Sequence, residues 1–198
     1  HRFWASRTEQ LFQGSLTRAM CLGRVSFPIG RHPSIVPGRY CDFHGVNYYT
    51  RSTVSGPADG VAQGCAVNDL GWEIYPEGIA EVCRKVYEML PRPVYITENG
   101  TCDNQDRFRA RFIAEHLKAL CESGVPVERY YHWCFCDNWE WVEGNSARFG
   151  LVHVDYESQK RSVKRSGEFY RRVIEERGVS EALFREFCDT PCGGEDGE

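Results

Sequence analysis

Apolar stretches of strand length alternate with longer amphipathic stretches through the middle of this 198-residue chain. The predicted strands are 42–50, 94–98 and 127–137, and the predicted helices that follow them are 76–90, 106–123 and 162–177. Strands separated by helices run parallel, because each helix returns the chain to the start of the next strand. A complete barrel of eight such units needs about 250 residues. We therefore predict an α/β fold that is part of a (β/α)8 TIM barrel.

The remaining segments are predicted to be helical at the amino end and otherwise mostly irregular. Residues 2–22 carry apolar positions at mixed helical spacing, which indicates one or two helices. Loops are predicted at 26–39 and 52–68, a hairpin within 143–160, and a short helix at 180–187. We predict one structural unit over 1–190 and a disordered polar tail over 191–198.

Charge and hydropathy exclude several classes of partner. The net charge is −4, with acidic and basic residues mixed along the chain, which argues against a nucleic-acid partner. No run of about 18 apolar residues is present, so no membrane span is predicted. The chain begins with His1, and we expect it to be a piece of a longer protein.

Ten cysteines are scattered along the chain, and several lie inside apolar patterns. They include no C-x-x-C pair, and no His/Cys pattern has the spacing of a zinc site. Free cysteine behaves as a small buried hydrophobe, and we favour that interpretation over disulfides or a metal. We predict a reducing, cytoplasmic compartment, no metal and no cofactor.

One stretch, PVYITENG at 93–100, places a carboxylate where a buried strand opens into a loop. Val94 to Thr97 form the apolar strand, Glu98 ends it, and Asn99-Gly100 is a turn dipeptide that tolerates positive φ. In barrels of alternating strands and helices, the chemistry sits at this carboxyl end of the strands. From the stretch alone, a Glu that simply faces solvent is an equal alternative.

The stretch VYITENG resembles the nucleophile motif of glycoside hydrolase family 1, the retaining β-glucosidases and their relatives. Further matches follow in the order that the family requires: DFHGVNYYT at 42–50, GWEIYPEGI at 71–79, DRFRARFIAEHL at 106–117, YYHWCFCDNWEW at 130–141 and RFGLVHVDY at 148–156. The resemblance covers about 42–177. It implies the carboxyl-terminal half of the family's barrel, about strands 6–8 with their helices.

The resemblance assigns roles to individual residues. Glu98 matches the nucleophile, which forms a covalent glycosyl-enzyme, and Tyr49 matches the tyrosine that hydrogen-bonds it. Asn47 matches a polar residue of the same site. The residues that match sugar-binding positions are Trp133, Glu140 and Trp141. Without the resemblance, Tyr49 reads as a core aromatic and the W-E-W cluster as an aromatic patch with a solvated Glu.

The same positions indicate the substrate. A carboxylate at Glu140 would repel a sugar phosphate, and the loop 141–148 lacks the Ser/Lys/Tyr set of the phospho-β-glycosidases. We therefore expect unphosphorylated β-glucosides or β-galactosides. The family pattern W-S-L is replaced here by W-C-F, and D-N-F-E-W by D-N-W-E-W. The family often has a cis peptide after the matching tryptophan, and the resemblance therefore predicts one at Trp133–Cys134.

The acid/base Glu of the family lies in an N-E-P motif, which this chain lacks. Glu9 and Glu73 are the nearest early carboxylates, and neither lies in a matching motif. We therefore expect a retaining β-glycosidase whose acid/base comes from a missing amino-terminal half, with that half or self-association covering the open barrel. The alternatives are an inactive or carbohydrate-binding remnant, and a transferase or thioglucosidase of the same family.

Overall fold

The computed structural model describes residues 2–30, 33–55, 58–189 and 192. The helices are α1 (Arg2–Glu9), α2 (Ser15–Leu22), α3 (Pro76–Met89), α4 (Arg109–Cys121), α5 (Arg165–Glu176) and α6 (Glu181–Phe187). The strands are β1 (His44–Tyr48), β2 (Thr53–Ser55), β3 (Ala58–Gly60), β4 (Val94–Asn99), β5 (Val127–His132), β6 (Val152–Val154) and β7 (Arg161–Val163). Among these described helices, none has the length and apolar character that a membrane crossing needs.

The central feature is a three-stranded parallel sheet in the order β1-β4-β5. Helix α3 connects β1 to β4, and α4 connects β4 to β5, as the alternation of the sequence predicts. Within the described residues, β1 and β5 each pair only with β4. The sheet therefore has two open edges, and the fold is part of an α/β barrel.

The helix boundaries follow from local chemistry. Pro76 occupies the first turn of α3, where its missing N–H costs nothing, and the helix ends at Met89 before two further prolines. The buried Asp103 carboxylate accepts hydrogen bonds from the N–H groups of Phe108 and Arg109 at the start of α4, at 2.8 and 2.9 Å. These bonds satisfy donors that a helix terminus otherwise leaves without partners.

Two apolar clusters hold the helices in place: one packs against the sheet, and the other joins helices to one another. Between the sheet and α3, Val46, Ile79 and Ile96 are buried. A second cluster joins α4, α5 and α6 through Phe112, Phe169 and Leu183. The opposite face of β1, which carries Gly45 and Asn47, is exposed, as the alternation of side chains along a strand requires.

The structure corrects several predicted boundaries. The third strand ends at His132 instead of 137, because the following segment turns back to hydrogen-bond residues 149–152. The predicted loop at 52–68 contains the β2–β3 hairpin. Of the predicted disordered tail, the structure describes only Cys192, whose thiol lies 3.7 Å from Glu115 Oε2. The rest of that prediction lies outside the described residues.

Candidate functional site

A carboxylate and a phenol meet at the carboxyl end of the sheet. The Tyr49 hydroxyl, one residue beyond β1, donates a 2.5 Å hydrogen bond to Glu98 Oε2 near the end of β4. Beside them, the Thr97 hydroxyl donates to Asn47 Oδ1 at 2.6 Å. The structure thus brings together Glu98, Tyr49 and Asn47, three of the site residues that the sequence analysis singles out.

A bulge in β4 aims Glu98 toward Tyr49. Val46 pairs with Ile96, but Asn47 pairs with Glu98, so Thr97 is an extra residue on β4. Ile96 is buried against the helices, and strict alternation would send Glu98 to that same side. The extra residue turns Glu98 to the face that carries Asn47 and Tyr49. Bulges beside active sites commonly re-aim a side chain in this way.

The Tyr49 ring is held by two further aromatic side chains. Trp72 and Phe149 lie with ring centroids 6.3 and 6.4 Å from that of Tyr49, both in edge-to-face geometry. Burial, followed by the hydrogen bond to Glu98, raises the pKa of Tyr49 well above its usual value of 10. The hydroxyl therefore keeps its proton and remains a donor to the carboxylate. Trp72 and Phe149 lie in the matching motifs at 71–79 and 148–156, but no local pattern in the sequence indicates their contact with Tyr49.

A second carboxylate, Glu140, lies close enough to Glu98 for the charge of Glu98 to affect its pKa. The indole Nε1 of Trp133 donates to Glu140 Oε1 at 3.1 Å. Burial raises the pKa of Glu140, hydrogen bonds from Trp133 and Asn138 offset only part of that rise, and the charges of Asp137 and Glu98 add to it. The peptide bond between Trp133 and Cys134 is cis, as predicted. Trp133 and Glu140 thus form a hydrogen-bonded pair, and Glu140 lies within electrostatic range of Glu98.

The buried Asp137 holds the loop that carries Glu140. Its carboxylate accepts hydrogen bonds from the backbone N–H of Gly150 at 2.9 Å and from Lys164 Nζ at 2.8 Å. Arg148 approaches the same carboxylate at 3.3 Å. Because a buried carboxylate needs such partners, this arrangement ties the loop to the β6–β7 hairpin and to the start of α5.

Gly100 allows the strand ends of β4 and β5 to approach each other. β4 continues through Asn99, and Gly100 does not adopt the positive φ that the Asn-Gly dipeptide suggests. Instead, a Cβ at Gly100 would lie 1.8 Å from the carbonyl oxygen of Trp133. Asn99 reinforces the junction, because its amide donates to the Tyr48 carbonyl and its oxygen accepts from Tyr130. The glycine is required by close packing beside Glu98.

We predict that Gly100→Ala lowers the free energy of unfolding by about 1–3 kcal/mol, because the new methyl group must displace backbone next to Trp133. Urea denaturation measures the change. Gly178→Ala is the matched control, since a Cβ there meets no atom within 4 Å, and it should change stability by less than about 0.5 kcal/mol. Equal effects at the two positions would contradict the packing explanation.

Two residues considered in the sequence analysis lie elsewhere. Trp141 is 82% exposed in a short 3-10 turn and lies outside the group formed by Glu98, Tyr49 and Asn47. Glu73 is buried, and its carboxylate forms a two-point ion pair with Arg51 at 2.8 and 2.9 Å. That pairing accounts for Glu73 as a structural residue.

Comparisons with known proteins show the family of this chain. The model of the family described as "Glycosyl hydrolase family 1" matches residues 34–179. Beta-glucosidase A of Thermotoga maritima is 40% identical over 160 residues, which cover 71% of this chain and 36% of that protein. A beta-galactosidase of Sulfolobus acidocaldarius is 36% identical over 162 residues, which cover 72% and 33% of the two chains.

Solved structures show the same fold. The beta-glycosidase from Pyrococcus horikoshii superposes with a TM-score of 0.81 at 32% identity, covering 96% of this chain and 47% of that one. The beta-glucosidase from Thermotoga maritima, solved in complex with glucoimidazole, gives a TM-score of 0.73 at 30% identity, covering 89% and 47% of the two chains. The chain spans about a third of the length of the curated relatives that it matches. By sequence and by fold, it belongs to glycosyl hydrolase family 1.

Proposed function

We propose that this chain carries the nucleophile half of a retaining β-glycosidase site. The observation that supports it most directly is the 2.5 Å hydrogen bond from Tyr49 to Glu98 at the carboxyl end of the parallel sheet. A donor of this kind holds one carboxylate oxygen in place while the other remains able to attack. Relatives named as glucosidases and galactosidases give the same expectation.

In the proposed reaction, the ionised Glu98 attacks the anomeric carbon and displaces the aglycone, forming a glycosyl ester that water then hydrolyses. The leaving oxygen needs a proton from a second carboxyl group about 5 to 5.5 Å away. We do not assign that role to Glu140, whose Oε1 is already held by the hydrogen bond from the Trp133 indole. We assign Glu140, Trp133 and the exposed Trp141 to recognition of the sugar, with Asn47 beside the nucleophile.

The acid/base carboxyl would come from an amino-terminal half of the barrel. We propose that β1, β4 and β5 are about strands 6–8 of that barrel, within a unit over 1–190 that a polar tail follows. The two open edges are where the missing strands would pair, and the exposed face of β1 would then line the interior of the barrel. Without that half, we expect self-association through these edges and slow hydrolysis, because the loss of a general acid costs roughly 10²- to 10⁴-fold in rate.

The substrate that we propose is an unphosphorylated β-glucoside or β-galactoside. The carboxylate of Glu140, held by the Trp133 indole, would accept two sugar hydroxyls. A phosphate on the same sugar would meet this negative charge, and like charges 4 Å apart near a protein surface repel by about 4 kcal/mol.

The test is hydrolysis by the chain co-expressed with the amino-terminal segment of a family 1 β-glucosidase. We expect turnover of an aryl β-glucoside or β-galactoside, with the 6-phosphorylated glucoside at least about 10²-fold slower. Preference for the phosphorylated sugar would overturn the substrate assignment. Sugar binding without turnover by a folded complex would favour the carbohydrate-binding alternative.

A further inference from the structure

Two thiols and an imidazole gather where the amino-terminal helices meet the sheet. Cys21 lies in the last turn of α2, Cys41 just precedes β1, and His44 begins β1. Their two Sγ atoms and a ring nitrogen of His44 all lie within 4.8 Å of one another. Within the part of the chain that the structure describes, no other three Cys, His, Asp or Glu side chains meet this closely. The sequence alone does not reveal this group, because Cys21 is distant along the chain from Cys41 and His44.

The backbone sets up this meeting. Gly23 ends α2 in the left-handed region at φ +60°, and the chain then returns alongside the helix end. The N–H groups of Gly38 and Tyr40 donate to the carbonyls of Leu22 and Cys21, both at 2.9 Å. This pairing places Cys41 next to Cys21, before the chain enters the sheet.

The His44 imidazole is buried, and one of its nitrogens already has a partner. Nε2 lies 2.7 Å from the carbonyl oxygen of Leu90, which accepts a hydrogen bond and therefore requires the proton on Nε2. The backbone N–H of His44 also donates to the Pro93 carbonyl at 2.8 Å. In this tautomer Nδ1 carries the free lone pair. A histidine that donates one N–H to a backbone carbonyl and offers the other nitrogen is the usual arrangement of a metal ligand.

We infer that Cys21, Cys41 and His44 form a zinc site that fastens the amino-terminal helices to the sheet. Two thiolates and one imidazole are donors that zinc prefers, and calcium and magnesium do not. The ion displaces both thiol protons to solvent, so that the site carries no net charge. Water or a ligand from outside this group takes the fourth tetrahedral position.

The place of the site indicates a structural role. It lies at the amino end of β1, whereas Glu98 and Tyr49 lie at the carboxyl end of the sheet, where barrel chemistry occurs. Apolar packing fastens the amino-terminal helices weakly, since Phe3 of α1 and Met20 of α2 are 63% and 68% exposed. A metal bridge between α2 and β1 would supply the attachment that packing does not.

One other use of the thiols is less well supported. A Cys21–Cys41 disulfide would leave the placement of His44 unexplained. The disulfide is therefore an outcome that the experiment must distinguish.

The test is a cobalt titration of the full chain after reduction and removal of metal. We expect one equivalent to bind with the d–d bands of a tetrahedral ion and thiolate-to-cobalt charge-transfer absorption, and zinc to displace it. Cys21→Ser, Cys41→Ser and His44→Gln should each weaken binding by more than the roughly 10- to 100-fold that loss of an outer-shell partner costs. Cys121→Ser, which removes an exposed thiol on α4, is the matched control and should bind as the parent does.

If circular dichroism shows that a variant does not fold, the cobalt titration of the parent chain alone decides the proposal. Absence of thiolate charge transfer at one equivalent of cobalt would overturn it. So would binding that persists unchanged in all three folded variants. Metal-free protein that carries a Cys21–Cys41 disulfide, located by non-reducing peptide mapping of material purified without reductant, would replace the zinc site with a redox bond.

Discussion

Glu98→Gln is expected to lower hydrolysis of an aryl β-glycoside by roughly 10⁴- to 10⁶-fold in the chain joined to an amino-terminal half, the range found when a catalytic group is removed. The amide keeps the shape of Glu98 and its contact with Tyr49. It lacks the charge and the nucleophilic oxygen that the glycosyl ester requires. Steady-state kinetics measures the loss, which should appear in kcat and in kcat/KM.

The control is Glu143→Gln, which neutralises an exposed carboxylate in the loop that follows Glu140 and should leave turnover unchanged. A shorter side chain, Glu98→Ala, adds a diagnostic result. Azide can enter the space left by the carboxylate and attack the sugar directly, so activity should return with azide and the product should be an α-glycosyl azide. A β-configured product, or full activity in Glu98→Gln, would rule out Glu98 as the nucleophile.

Tyr49→Phe is expected to lower kcat by about 10- to 150-fold, because a hydrogen bond to a charged group contributes about 1.5–3 kcal/mol. The ring remains packed against Trp72 and Phe149, so the substitution removes only the donor to Glu98. Since the pKa of Tyr49 is raised well above 10, ionisation of this phenol should contribute no alkaline loss of activity below pH 10. The pH–rate profiles of parent and variant measure both effects.

Tyr87→Phe is the matched control for Tyr49→Phe, since it removes a phenolic hydroxyl from α3 on the far side of the sheet. It should retain the activity of the parent. A Tyr49→Phe enzyme with unchanged kcat would mean that the 2.5 Å contact does not position the nucleophile. A loss confined to KM would instead assign Tyr49 to sugar binding.

Hydropathy alone predicts much of the architecture. The apolar runs at β1 and β4 and the helical periodicity of α3, α4 and α5 lead to parallel strands with helical crossovers, which the structure confirms. These patterns are visible because burial against helices acts on every residue of a strand or helix face. The predicted end of β5 is wrong, because the backbone after His132 turns back to pair with residues 149–152. Side-chain bonds of Asp137 hold that turn, and hydropathy does not encode either interaction.

The site is harder to predict, because its geometry depends on pairing between distant segments. The direction of Glu98 depends on the extra residue Thr97 in the β1–β4 register, which no local pattern reveals. An Asn-Gly dipeptide is typical of a turn, yet Gly100 is required because the Trp133 carbonyl leaves no room for a side chain. Cys21 and His44 meet only because the chain folds back after α2. Motif resemblance names the candidate residues, and only the structure shows how they meet.

Trapping the nucleophile tests the central claim most directly. A 2-deoxy-2-fluoro β-glucoside with a dinitrophenolate leaving group needs no general acid, and its glycosyl ester is hydrolysed slowly. With the amino-terminal half supplied, peptide mapping by mass spectrometry should find one 2-fluoroglucosyl group, on Glu98. An adduct on Glu140 or another carboxylate, or no adduct in a folded complex, would contradict the account.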